Sequence, residues 1–242
     1  MKLKDKIAIV TGGGRGIGRA IALLCAEHGA KIVITARTAE QVAGVVNEIR
    51  AAGGEAIGVP CDVSVEADAK EMVEQTVNRF GGADILVNNA GITMSAPLVA
   101  SDSEQWRRVI EINLLGTFYC SKAIAPILIE KGWGRIINMA SRSGKMGHPF
   151  LTAYVASKHG VVGFTKALSE ELAPFRITVN AICPGVVETD MIPDVIREQV
   201  GDKIIRPRQI ADLALFLASD DSSAITGEAI NIYGNTKLNL SM

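Results

Sequence analysis

The chain has 242 residues, with 25 Lys and Arg against 26 Asp and Glu and a net charge of −1, so no global field recommends nucleic acid or an anionic membrane as partner. Hydrophobic residues at 48% and charged residues at 21% exclude disorder, and aromatics at 5% predict an aliphatic core. The length suits one α/β domain spanning residues 1–242. The apolar run Ile7–Val10 stops at Thr11 and a glycine cluster, too short for a signal peptide, and no stretch is read as reaching the ~18 apolar residues of a membrane helix. A cytoplasmic protein is the expectation. Cys25, Cys61, Cys120 and Cys183 lie far apart, which predicts reduced, buried thiols, with no disulfide framework and no metal site.

Taken in order, a strand at Ile7–Val10 runs into T-G-G-G-R-G-I-G and a helix carrying Ala20, Ile21, Leu24 and Cys25. A strand at Lys31–Thr35, a helix at Ala39–Ala52 and a strand at Ala56–Pro60 follow, then a helix at Val65–Phe80 and a strand at Asp84–Val87. A long helix, Ser103–Lys131, is expected to kink at Pro126 and to lead into a strand at Arg135–Ala140. The second half reads as a helix over 151–173, a strand at Ile177–Ile182, a short lid at about 188–208, a helix at Gln209–Ser219 and a strand at Ala229–Tyr233. This alternation predicts a doubly wound (Rossmann) parallel sheet of about seven strands with helices on both faces.

The chemical centre is placed in the run from Ser141 to Lys158. On a helix, Tyr154 and Lys158 stand at i and i+4 on one face, and an ammonium beside a phenol favours the phenolate. Tyr233 and Lys237 share that spacing, but Gly234 and Asn235 oppose a helix there. Gly12, Gly14, Arg15, Gly16, Ile17 and Gly18 form a turn between strand and helix that suits a dinucleotide pyrophosphate. An acidic residue that would grip a ribose 2′-hydroxyl is missing after the second strand; Arg37 stands there with Arg15 nearby, so NADP(H) is the expected cofactor. Asp62 and Val63 close the third strand, with Asp62 suited to an adenine amino group. Asn89, Ala90 and Gly91 close the fourth, with Asn89 suited to ribose or to neighbouring backbone.

T-G-G-G-R-G-I-G, C-D-V, N-N-A-G, Asn113, Ser141, Y-V-A-S-K and C-P-G-V-V-E-T together resemble the short-chain dehydrogenase/reductase family, and within it most closely the 3-oxoacyl-(acyl-carrier-protein) reductases. The resemblance implies that Tyr154 gives a proton to a substrate carbonyl and that Lys158 lowers its pKa and binds ribose. It further implies that Ser141 hydrogen-bonds the reacting oxygen and that Asn113 holds a relay water. Pro184, Gly185, Val187 and Thr189 would then meet the nicotinamide end, and the chain would assemble as a homotetramer or homodimer through the Ser103–Lys131 and Leu151–Ala173 helices and the last strand. The expected reaction is hydride exchange between NADP(H) and a small-molecule carbonyl or secondary alcohol, with a 3-oxoacyl thioester as one candidate.

Arg142 and Lys145 are candidates for attracting an anionic substrate and His148 for lining its pocket, while His28 is read as a helix-end residue and His159 as a packing neighbour of Lys158. Two other readings keep the nucleotide site: an epimerase or dehydratase, and a catalytically silent nucleotide-sensing or scaffold protein. The complete Asn113, Ser141, Tyr154 and Lys158 set argues against the former; the latter predicts NADPH binding without turnover.

Overall fold

A computed structural model describes residues 1–190, 192, 197–198, 200–201 and 204–234. The strands are β1 (Ile7–Thr11), β2 (Lys31–Ala36), β3 (Ala56–Pro60), β4 (Ile85–Asn88), β5 (Gly134–Met139), β6 (Ile177–Pro184) and β7 (Ala229–Ile232). They pair in parallel in one seven-stranded sheet, order β3-β2-β1-β4-β5-β6-β7. The order reverses between β1 and β4, and in such sheets a crevice opens there beyond the carboxyl ends of the strands. The helices are α1 (Gly16–Glu27), α2 (Ala39–Ala51), α3 (Glu66–Phe80), α4 (Ser103–Ile110), α5 (Gly116–Lys131), α6 (Thr152–Leu172) and α7 (Pro207–Ala218).

The strands bury both faces, as continuous apolar runs require. Ala8, Val10, Ile32, Ile34, Ile85 and Val87 face a core built with α1, α2 and α7. Their alternates Ile9, Val33, Leu86 and Ile136 face Met72 of α3, Ile124 and Leu128 of α5 and Leu172 of α6. Asn88 Nδ2 donates to Asn138 Oδ1 (2.9 Å) and to Ser121 Oγ (3.0 Å), and Asn138 Nδ2 donates to Thr165 Oγ1 (2.9 Å), so buried amides tie β4, β5, α5 and α6 together.

The expected elements are present, with ends shifted by a residue or two; β6 runs on to Pro184 because it continues to pair with β7. The long helix departs from expectation. Pro126 lies inside α5, and the interruption falls at Glu111–Leu115, a π turn between α4 and α5 that carries Asn113. The Ser103–Lys131 run also passes as long and apolar enough to cross a membrane by length and composition, contrary to the sequence reading. Its apolar positions Cys120, Ile124 and Leu128 are fully buried against α3 and the sheet, which accounts for them inside this fold. Residues 191, 193–196, 199 and 202–203 of the expected lid, and Asn235 to Met242 with Lys237, lie outside the described residues.

Leu128→Ala is expected to cost about 2–5 kcal/mol in urea denaturation through the lost contacts and the cavity. Val99→Ala, at a side chain 99% exposed, is expected to stay within about 0.5 kcal/mol, and equal costs at the two positions would contradict this core.

Candidate active site

The glycine turn is shaped by close approach. Gly12 has φ +62°, and a Cβ there would stand 3.0 Å from both Ala90 Cα and Asn89 Nδ2. A Cβ on Gly18 would lie 2.3 Å from the Gly12 carbonyl oxygen. Asn89 Nδ2 donates to the carbonyls of Thr11 (2.9 Å) and Gly12 (3.2 Å), while Thr11 Oγ1 accepts from the N–H groups of Asn89 (2.9 Å) and Ala90 (3.0 Å). Asn89 thus meets the neighbouring backbone, one of the two roles expected for it, while also lining the cleft. Helix α1 starts at Gly16 without a side-chain cap, so its first N–H groups face the crevice uncapped.

A cavity of about 300 Å³ extends from this turn along the carboxyl ends of the strands. It is lined by Gly12, Gly14, Arg15, Gly16, Ile17, Arg37, Asp62, Val63, Asn89, Ala90 and Gly91, then by Ser141, Tyr154, Lys158, Pro184, Gly185, Val187 and Thr189. Gly18 and Asn113 stand behind this wall. Thr35, Thr38, Gln41, Ile92, Ile112 and Met139 also line it; sequence reasoning passed over them because they carry no motif and enter only through the fold. Arg15 pairs with Asp190 at 3.1 Å, whereas exposed Arg37 has no ion-pair partner among the described residues. The tight glycine cradle, the uncapped helix start and the two arginines at one end fit the phosphates of a dinucleotide.

At the other end α6 brings Tyr154 and Lys158 together. Lys158 Nζ lies 5.7 Å from the Tyr154 ring centroid and donates to the Met139 carbonyl at 2.7 Å. Burial pulls the ammonium down to about 8. Ser141 Oγ accepts from Ser143 N–H at 3.1 Å, leaving its own proton to donate, and it is a hydrogen-bond partner of Tyr154. The Tyr154 phenol is raised above its ordinary value of 10.0, chiefly by burial, with the Ser141 bond opposing. The expected lowering by Lys158 is therefore not what the structure gives: burial sets the direction, and the Ser141 hydrogen bond is what opposes it.

Asn113 is fully buried, with Nδ2 donating to the Ile92 carbonyl (2.9 Å) and Ser157 Oγ (3.0 Å) and Oδ1 accepting from Ile92 N–H (2.9 Å). A Cβ on Gly91 would meet Asn113 Oδ1 at 3.2 Å and Lys158 Nζ at 3.6 Å, so the two side chains share that wall. Ser157, unremarked in the sequence, is the link from Asn113 to α6.

The loop residues lie off this cavity. His148, Arg142 and Lys145 are not among the cavity-lining residues. Lys145 Nζ donates to the Ala229 carbonyl, and Arg142 Nε donates to Met146 Sδ at 2.9 Å with its guanidinium over Tyr233. Burial and the Arg142 charge hold the His148 imidazole below its ordinary value. His159 is exposed and bonds the Val155 carbonyl of its own helix at 3.0 Å, and His28 caps the C-terminal end of α1. The four cysteines are free and buried, with burial pushing Cys61 up to about 11.

A doubly wound sheet with a glycine cradle at β1 and a Tyr–Lys–Ser cluster at the other end of one cleft defines a Rossmann-type dehydrogenase architecture. Residues 6–199 match the family described as short chain dehydrogenase. The chain is 41% identical to a 3-oxoacyl-(acyl-carrier-protein) reductase of Synechocystis, over 96% of this chain and 97% of that protein. It is 39% identical to a D-beta-hydroxybutyrate dehydrogenase of Rhizobium meliloti, over 95% and 97%. A crystal structure of a short-chain type dehydrogenase/reductase from Mycobacterium marinum superposes with TM-score 0.93 at 34% identity, covering 98% of this chain and 97% of that one. The protein belongs to the short-chain dehydrogenase family.

Because folded Lys158 titrates near 8 instead of the ordinary 10.5, the native state sheds that proton first. The stability lost by burying the ammonium is then recovered as pH rises from about 8 toward 10.5. Urea denaturation should show wild type gaining on Lys158→Met across that window, and a constant difference would contradict the assignment.

Proposed function

We propose that residues 1–242 form one NADP(H)-dependent oxidoreductase domain that exchanges hydride between nicotinamide and a carbonyl or secondary alcohol. The observation that carries this reading is the hydrogen-bonded Ser141 and Tyr154 pair beside buried Lys158, in the same cleft as the glycine turn. A 3-oxoacyl thioester is the leading substrate, supported by the printed activity of the Synechocystis relative, with a free 3-hydroxy acid as the alternative that the Rhizobium relative supports. A homotetramer or homodimer through α4, α5, α6 and β7 completes the reading; exposed Phe118 on α5 is consistent with it.

The bound nicotinamide would supply the hydride in reduction. As charge develops on the carbonyl oxygen, the Ser141 hydroxyl donates to it and Tyr154 Oη gives it a proton. A phenol is protonated at neutral pH, so the proton is present to donate, while burial disfavours the tyrosinate that it leaves. The Lys158 ammonium then offsets the tyrosinate charge and can reach a ribose hydroxyl. Asn113 holds the relay water through the remaining acceptor capacity of its oxygens, while its amide keeps Ile92 and α6 in register. Arg37, with Arg15, takes the 2′-phosphate, and Pro184, Gly185, Val187 and Thr189 face the nicotinamide end.

Tyr154→Phe is expected to lower kcat on a panel of acetoacetyl thioesters, 3-oxo acids, diketones and aryl ketones by about 10²–10⁴-fold. Turnover surviving in that variant would refute the proton-donor role, and NADPH binding without turnover by wild type would favour the silent reading. Calorimetric titration should show NADPH binding more tightly than NADH, with Arg37→Asp removing about tenfold or more of the NADPH affinity. An unchanged NADPH affinity in Arg37→Asp would sink the cofactor assignment.

A further inference from the structure

The carboxylate of Asp62 sits on the cavity wall with most of its acceptor sites already taken. Oδ1 accepts from Ser64 N–H at 3.0 Å and from Ser64 Oγ at 2.6 Å. Oδ2 accepts from Arg108 Nη2 at 2.6 Å, while Arg108 Nη1 donates to Ser64 Oγ at 2.6 Å. The main-chain N–H of Asp62 is itself held by Asp68 Oδ2 at 3.0 Å. An ionised carboxylate offers about four lone-pair directions, so this clamp fills both on Oδ1 and leaves one on Oδ2. Arg108 comes from α4, a different layer of the fold, and also pairs with Glu111, the first residue of the π turn, at 3.6 Å.

We propose that Arg108 is a positioning residue for the adenine end of the cofactor: its guanidinium orients the Asp62 carboxylate so that a single acceptor direction on Oδ2 remains for one N–H donor, the adenine 6-amino group. The inference rests on the dinucleotide reading of the cleft and on Asp62 as the adenine acceptor. A planar fork gripping both Asp62 and Ser64 fixes the orientation of the carboxylate in a way the Ser64 bonds alone do not, since these leave Oδ2 free to swing about the Oδ1 anchor. Arg108 and Asp62 side chains are 37% and 27% exposed, so the pair is partly shielded from solvent and its geometry is less diluted than that of a surface ion pair.

The test compares binding of NADPH with that of its hypoxanthine analogue, deamino-NADPH, in which the amino donor is replaced by a carbonyl acceptor. Calorimetric titration of the wild-type protein should favour NADPH by roughly tenfold, the scale of one hydrogen bond to a charged acceptor. Arg108→Met should shrink that preference to about threefold or less, and Arg108→Lys, which retains charge but lacks the fork, should fall between. A loss of affinity shared equally by both ligands, with the wild-type preference kept, would show a general structural role and overturn the proposal. Wild type binding both ligands equally would instead refute Asp62 as the adenine acceptor, so failure of the underlying reading is separable from failure of this one. If Arg108→Met does not fold, Arg108→Lys decides alone: an undiminished preference overturns the proposal.

Discussion

The site depends on how closely three pieces of backbone can approach at the end of β1. A side chain at Gly18 would collide with the Gly12 carbonyl, and one at Gly12 would press on Asn89 and Ala90. With only hydrogens there, the turn, the first helical coil of α1 and the loop after β4 interlock, and Thr11 and Asn89 fasten them with four hydrogen bonds. The uncapped start of α1 is thereby aimed into the crevice where the strand order reverses. The close approach is what would let those N–H groups meet the phosphates of the proposed dinucleotide; a looser turn would leave them to water.

From that point the cleft is a gradient of solvation. Its arginine end is open to water, so charge there is inexpensive and screened. At its other end Lys158 is buried while Ser141 and Tyr154 are half-buried, and desolvation pulls the ammonium down and pushes the phenol up, each toward its neutral form. The protein answers with fixed partners, the Met139 carbonyl for Lys158 and the Ser141 hydroxyl for Tyr154. The π turn belongs to the same economy of partners, because it places the Asn113 amide where both its N–H groups are used, by Ile92 and Ser157.

The fold was legible to within a residue or two at most element ends because strands buried on both faces and helices with one apolar face leave different periods in a sequence. The glycine turn and the Ser141–Lys158 run were legible for a related reason, since close backbone approach and i,i+4 adjacency are local requirements. Other features were not. Pro126 draws attention as a helix breaker, yet the irregularity lies at Glu111–Leu115, where nothing in the local sequence demands it and packing of Asn113 against Ile92 and Ser157 does. The direction of Lys145, four residues beyond Ser141, was open in the sequence, and it is the fold that turns it to the Ala229 carbonyl.

By itself the sequence determined the class of sheet, the place of the glycine turn and the pairing of Tyr154 with Lys158, because these follow from periodicity and short-range spacing, while Ser141 was identified through the family resemblance. Only the tertiary structure decided which groups are desolvated and which partners they meet. The upward shift of Tyr154, the commitment of Asn89 to backbone and the grip of Arg108 on Asp62 all depend on contacts between segments distant in the chain. Dielectric environment and hydrogen-bond direction are properties of assembled neighbours, and a one-dimensional pattern carries neither.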